Sequence, residues 1–498
     1  MAQTSLAELT TRAAAATEPG FSPATTPRLG GVDPLGLRQV NFDLMDQVFP
    51  GLNNVARHIR PFVVVTWAWR RANQLAQTQG KQTIKVDQLR DFVDRIEVIY
   101  VWSQFLADPS ADLPGRLVLA GLLQAKEWTF GGAAWRQRRQ TRRYSTALTA
   151  PINYGPALKM LGWVQPHLEY SEILIPSPAA IPALDAFEAR INDRLDHPAF
   201  SKFGSVTVSA AEAQRWSKAW SLNSVTKAEK DVMKDMLFGA SAPVIRQRGG
   251  ALLLAAAGRS RTQDVEVLRA DMSGDPSRFK PPAHLVDTRD AWRTVQVRQL
   301  FRLSLEAFLH WTLTVVDEKP KTTEALVTLF VSKLSGGKHA TSRQLLAAFQ
   351  SPDVGPVELM DDISAALDTS ADDLPDAILR GIAFSLAEAP QKQNLLERPD
   401  RLPLARARSE ADARQSVAPR EFLRHALESW VLAQHVYWSV GRGLADARAQ
   451  GKTLLRLKVV LDEGGWAAAP GVSAGSPPVP TADRLQTMVS LAAECGLL

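Results

Sequence analysis

Arg136, Arg138, Arg139, Arg142 and Arg143 place five guanidinium groups within eight positions. A guanidinium stays charged at any physiological pH and donates in a fixed fork that matches phosphate oxygens. A run of this kind suits contact with a polyanion, driven by release of its counterions. A polar turn ending at Pro151 follows, then a short helical stretch from Tyr154 to Leu161 carrying Lys159, then Gly162. Val164 to Ile175 alternates in the manner of two short strands, and Leu184, Phe187, Ile191 and Leu195 recur at helical spacing from Ile181 onward. Helix, short β-ribbon, helix is the order of a winged helix-turn-helix module. The five arginines and Lys159 are therefore the candidate residues for binding double-stranded DNA. The competing reading is a protein contact or a solvated face, because the stretch from Tyr154 contains Pro156, Leu158 and Met160 and few side chains that read base edges.

Other chemistry-bearing patterns are incomplete. Leu334-Ser335-Gly336-Gly337-Lys338-His339 resembles the end of a phosphate loop, yet Ser332 stands where the first glycine belongs and His339 where a Ser or Thr would hold magnesium. No two of the eight histidines are spaced i, i+4, and His425 and His435 are ten apart on one helix, about 15 Å at the helical rise, too far to share an ion. Cys495 is the single cysteine, which excludes an intramolecular disulfide, and no base is evident beside it. No Gly-x-Ser-x-Gly elbow occurs. Asp317, Glu318 and Lys319 offer the residue types of a metal-dependent nuclease, but they follow a helical rather than a strand pattern. Arg302 and Glu306, at i and i+4, read as an intrahelical ion pair. No catalytic, cofactor or metal residue is assigned.

These residues sit in a chain of 498 with 45% hydrophobic and 22% charged side chains, long enough for several cores. The formal charge of +6 permits a polyanionic partner without requiring one. No apolar run approaches the roughly 18 to 20 residues of a membrane span, so a soluble, cytoplasmic protein with no membrane partner is expected. The periodicities predict a mainly α-helical, multi-domain protein with an embedded winged-helix-like module of small β content. The expected segments are a disordered tail over 1–33, a helical domain over 34–130 with Trp67 and Trp69 in or near its core, and the winged-helix-like module over 131–200. A helical domain over 201–350, a charged linker or helical segment over 351–418 and a helical region over 419–498 complete the division. Ala210 to Phe238 reads as one helical stretch, 258–283 as a linker or exposed loop, and Asp290 as the N-cap of a helix to Val316. Eight acids between Asp353 and Asp376 and seven arginines between Arg398 and Arg424 either pair within the fold or divide its surface.

Asp33-Pro34-Leu35-Gly36-Leu37-Arg38, then Asn41 and Leu44, then Phe49-Pro50-Gly51-Leu52-Asn53-Asn54-Val55 ahead of an aromatic helix through Trp67 and Trp69, form a distinctive opening. This opening loosely resembles a set of uncharacterised bacterial proteins encoded in mobile-element or antiphage-defence islands. The resemblance implies a setting and no assigned catalytic residues. With the arginine cluster it yields one expectation: a non-catalytic subunit of a defence or genome-maintenance complex that holds DNA and docks a partner such as an ATPase or nuclease. The alternatives are a metal-dependent nuclease whose carboxylates are dispersed in sequence, and a pure protein scaffold.

Overall fold

A computed structural model describes residues 33–78, 85–115, 119, 121, 123–133, 157–274, 279–317, 319–335, 337–350, 353–369, 372–390, 399–450 and 456–498. The chain is mainly α-helical, with three short two-stranded antiparallel sheets. It divides into two compact units, each assembled from separated stretches of sequence. One comprises Met45–Met272, Phe279–Trp292 and Ala482–Leu498; the other comprises Met1–Leu44, Ser273–Arg278 and Arg293–Thr481. The helix Val286–Val316 contains the division point between Trp292 and Arg293.

In the first unit the helices Ile59–Thr78 and Val86–Ala107 pack together. Their apolar residues exceed a single stripe: Phe62, Val63, Val64, Trp67 and Ala68 are all fully buried, the mark of a helix enclosed on several sides. Trp67 is core, with its indole N–H donating to Glu188 at 2.8 Å, and Trp69 is nearly so. Strand β1, Glu127–Phe130, lies within the stretch expected to be helical and pairs with a distant strand, β4, Val206–Ser209. Between them in sequence, β2 (Val164–Pro166) and β3 (Leu174–Pro176) form a hairpin in the register Gln165 opposite Ile175. The helix Ile181–Ile191 then buries Leu184, Phe187 and Ile191, as the spacing predicts.

Ala210 to Phe238 is not one helix but two, Ala210–Ser217 and Lys227–Phe238. Each opens with a reciprocal capping box, Ser209 with Glu212 and Thr226 with Glu229, and the second box starts a new helix where periodicity alone runs on. Residues 258–283 are likewise not simply a loop, because Val265–Ser273 is helical. Asp264 Oδ1 accepts the first amides, from Glu266 and Val267, while Leu268 and Met272 bury one face. Asp290 is not an N-cap, because the helix begins at Val286, directly after a 3-10 turn over Ala283–Leu285 that follows Pro282.

The other unit gathers the helices Thr323–Ser332, Ser342–Ala348, Pro356–Thr369, Leu374–Glu388 and Leu404–Asp412 with the remainder of Val286–Val316. Pro419 opens a long helix whose middle, Ala426–Ala433, is π-helical between α-helical Pro419–His425 and Gln434–Gln450. Within 419–498, expected to be helical, β5, Val459–Asp462, pairs with β6, Gly465–Ala468. The stretch of acids between Asp353 and Asp376 is largely helical, and Asp376 is buried, accepting the Ser335 amide. Arg401, Arg406 and Arg408 lie near acids of their own neighbourhood, Asp400, Glu410 and Asp412. Among the described residues no helix is long and apolar enough to cross a membrane.

Candidate functional site

Arginine has an unusual place in this protein: Arg60, Arg95, Arg246, Arg298 and Arg302 are among its largest fully buried side chains. Several act as struts for backbone carbonyls. Arg95 donates to the carbonyls of Ala199, Lys202 and Gly204, Arg246 to those of Pro50, Met160 and Met236, and Arg298 to those of Arg401 and Leu402. Burial lowers Arg95 and Arg246 to about 10, still well above neutrality, so they remain cations. Part of the basic excess seen in the sequence is thus held inside the fold and is not displayed to a partner.

The opening motif Asp33 to Arg38 is fastened in the same manner. His435 donates from Nδ1 to the Pro34 carbonyl at 2.8 Å, Gln434 to the Leu35 carbonyl at 2.9 Å and Arg401 to the Gly36 carbonyl at 2.6 Å. Three successive carbonyls of one loop are therefore received by three separate side chains. The His435 tautomer follows from its partners: Nδ1 faces a carbonyl and must donate, while Nε2 accepts the Lys458 amide at 2.8 Å. Burial pushes its pKa down to about 4, so it is neutral at pH 7. Gly36 has φ of +73°, and a Cβ there would stand 2.4 Å from the Trp438 ring, on which Arg401 stacks at 3.9 Å. Both the backbone conformation and the close approach demand glycine.

Asp33 accepts the amides of Leu37 and Arg38 at 3.0 and 2.9 Å, capping the helix Arg38–Met45 and aiming Arg38 at Glu306. Glu306 is almost fully buried. Its Oε2 receives Arg302 at 2.6 Å and Arg38 at 3.2 Å, while its Oε1 has no hydrogen-bond partner among the described residues. The expected Arg302–Glu306 pair therefore exists, but as an interior feature, and the more distant Arg38 completes it. Lys458, held by its amide to His435, makes no hydrogen bond or ion pair through its ammonium among the described residues, and burial pulls its pKa down. Burial, with the nearby Glu306 charge, raises Asp33. His310, two turns beyond Arg302, donates to the Ala474 carbonyl and lines a cavity of about 270 Å³ with Trp311, Lys333 and Asp372.

The residues singled out from sequence stand elsewhere. Arg136, Arg138, Arg139, Arg142 and Arg143 lie outside the described residues. Lys159 is exposed on the helical turn at 157–161, beside exposed Met160, while Leu158 and Leu161 of that turn are buried. The hairpin that follows is anchored by Asn73, which donates to the Leu174 carbonyl, and its tip exposes Leu168 and Tyr170. His425 pairs with Glu410, which also accepts from Trp430 and Arg406. Burial pushes the Cys495 thiol up to about 12, so it is protonated at neutral pH.

The sequence joins Arg302 to Glu306 but not Arg38 to that pair, because Arg38 and Glu306 are 268 residues apart. Lys458 carried no signal at all. His435 and Gln434, adjacent on one helix with polar tips, were the available hint that this helix receives a loop. No family model matches the chain, and no curated protein or solved structure matches it.

Proposed function

We propose that the protein is a DNA-holding, partner-docking subunit of a bacterial defence or genome-maintenance assembly. The observation that carries the reading is the arrangement around residues 136–176: five arginines in eight positions, then a turn with exposed Lys159 and Met160, then an anchored hairpin with an exposed apolar tip. In this reading the arginines meet phosphates, Lys159 adds one further contact, and the 157–161 turn with the β2–β3 hairpin serves as a winged-helix-like module. The strand pairing differs from a single winged-helix sheet, because β1 joins Val206–Ser209 rather than the hairpin. Leu168 and Tyr170 flank Glu169 at the hairpin tip, with Glu172 just beyond, a surface better matched to a protein than to phosphate. The partner is accordingly assigned to the tip, and an ATPase or nuclease is the kind of partner that a DNA-holding subunit serves.

The test is binding of labelled duplex DNA across a salt series with magnesium present and product length checked on a denaturing gel. Affinity falling steeply with salt, without cleavage, is the expected result. Changing all five arginines to Ala should weaken binding and flatten the salt dependence, and Lys159→Ala should lower the slope by about one unit at most. Unchanged affinity in the five-arginine variant overturns the DNA role. Cleavage of the DNA favours the nuclease alternative, and absence of both binding and cleavage favours the scaffold.

A further inference from the structure

Residues 470–481 follow β6 as a twelve-residue stretch without regular secondary structure, and most of it is exposed. Two side chains of the Val286–Val316 helix fasten it: Arg302 donates to the Val479 carbonyl at 2.9 Å, and His310 donates to that of Ala474. Arg302, Glu306 and His310 follow one another at steps of four and so share one face of that helix. The stretch is therefore a strap bound at both ends of a polar helix face, with Glu306 midway between its fasteners.

At Glu306 the polar accounts do not close. Arg302, Arg38 and Lys458 bring three cations and Glu306 and Asp33 two carboxylates. Both Asp33 oxygens are already taken by backbone amides. Glu306 uses one oxygen for both arginines. What remains is donor-rich: Arg38 Nε and Arg302 Nε are buried with no partner among the described residues, and the half-buried Lys458 ammonium, near enough to feel the Glu306 and Arg38 charges, makes no hydrogen bond or ion pair among them. A buried polar group without a partner is costly, more so when charged, so these donors, held in place by His435, Asp33 and the loop carbonyls, call for a ligand of opposite character.

We propose that Arg38 and Lys458, beneath the 470–481 strap, form a binding site for a small oxyanion of the phosphate class, and that the Arg302 and His310 fasteners release the strap to admit it. Phosphate supplies several acceptor oxygens on one compact anion, enough to meet the Arg38 and Lys458 donors together. The Arg38 guanidinium, partly exposed, is the cation first met by an entering anion. The proposal is independent of the DNA reading, because it concerns residues far in sequence from the 136–143 arginines. The phosphate could be free or could be the end of a nucleic-acid strand.

The experiment is isothermal titration calorimetry of the full chain with inorganic phosphate and with pyrophosphate, at fixed ionic strength held by chloride. Saturable binding is expected in the wild type. Lys458→Met and Arg38→Gln should each weaken it at least tenfold, whereas Lys333→Met, in the neighbouring cavity, should leave it unchanged. Glu306→Gln removes a competing negative charge and should tighten binding several-fold, an outcome that misfolding cannot produce. A 5′-phosphorylated oligonucleotide compared with its 5′-hydroxyl counterpart distinguishes the sources: a preference for the phosphorylated form assigns a strand end, and equal weak binding beside tight pyrophosphate binding assigns a free oxyanion. Absence of saturable binding to every phosphate probe overturns the proposal, as does wild-type affinity in Lys458→Met.

Discussion

Each of the two units contains a buried arginine–glutamate pair, and the two pairs are finished differently. In the first unit Arg60 and Glu229 are both fully buried and meet at 2.5 Å. The second oxygen of Glu229 receives the Thr226 amide, and Arg60 also donates to the Ser224 carbonyl. Burial raises Glu229 despite Arg60, yet both of its oxygens have donors. That pair locks a capping box to the helix Ile59–Thr78 and leaves its carboxylate nothing further to bind. In the other unit Glu306 draws two arginines onto one oxygen and leaves the second without a donor, with Lys458 close enough to sense its charge. The lesson is that burial alone does not tell the two pairs apart, whereas the donors that reach each carboxylate oxygen do.

The sharpest way to break this comparison is Arg60→Met. It leaves Glu229 buried without its counterion and should cost about 3–5 kcal/mol, read as the shift of the urea unfolding midpoint of the first unit. A loss below about 1 kcal/mol would mean that Glu229 simply protonates and that the pair has no structural role. The histidines offer a comparison of opposite sign. His435 is neutral in the fold with a pKa of about 4 against 6.5 when unfolded. Its contribution is fully present above pH 6.5 and is lost as pH falls from 6.5 towards 4, by about 3 kcal/mol in all. Calorimetric stability measured over that window should fall less steeply in His435→Gln, and an unchanged acid limb would refute the lowered pKa of His435 in the fold.

Gly36→Ala should destabilise the loop by about 1–3 kcal/mol, because the left-handed backbone and the Trp438 ring both oppose a Cβ. Pairing it with Trp438→Ala separates the causes: relief of the contact should recover part of the loss, and no recovery would place the whole effect in the backbone. The smallest effect concerns His58. Burial lowers its pKa, but Glu494 at 2.6 Å and Asp112 at 3.5 Å outweigh burial and raise it. This contribution is complete below pH 6.5 and fades as pH rises through the raised value, the reverse of His435. His58→Gln should flatten that decline without touching the acid limb.

The helices were largely legible because their signals are local. The stripe of Leu184, Phe187 and Ile191 and the alternation before Ile175 needed only neighbours three, four or two residues away. The break between Ala210–Ser217 and Lys227–Phe238 was also written locally, in Thr226 and Glu229, yet it was masked by apolar residues continuing on helical spacing. The β1 strand was not legible, since its partner Val206–Ser209 lies almost eighty residues away and pairing alone makes it a strand. The Arg302–Glu306 pair was legible as a pair for the same reason that the helices were, being one turn apart.

By itself, then, the sequence determined the helical class, the short strands of the hairpin and the Arg302–Glu306 pair, because propensity and periodicity act over a few residues. Only the tertiary structure decided that Arg38 would reach Glu306, that His435 would be neutral and that Lys458 would stand beside them. Those outcomes depend on which distant carbonyls and charges share a desolvated interior. There the cost of an unmet polar group is high, and no local pattern encodes the identity of the neighbour that must meet it.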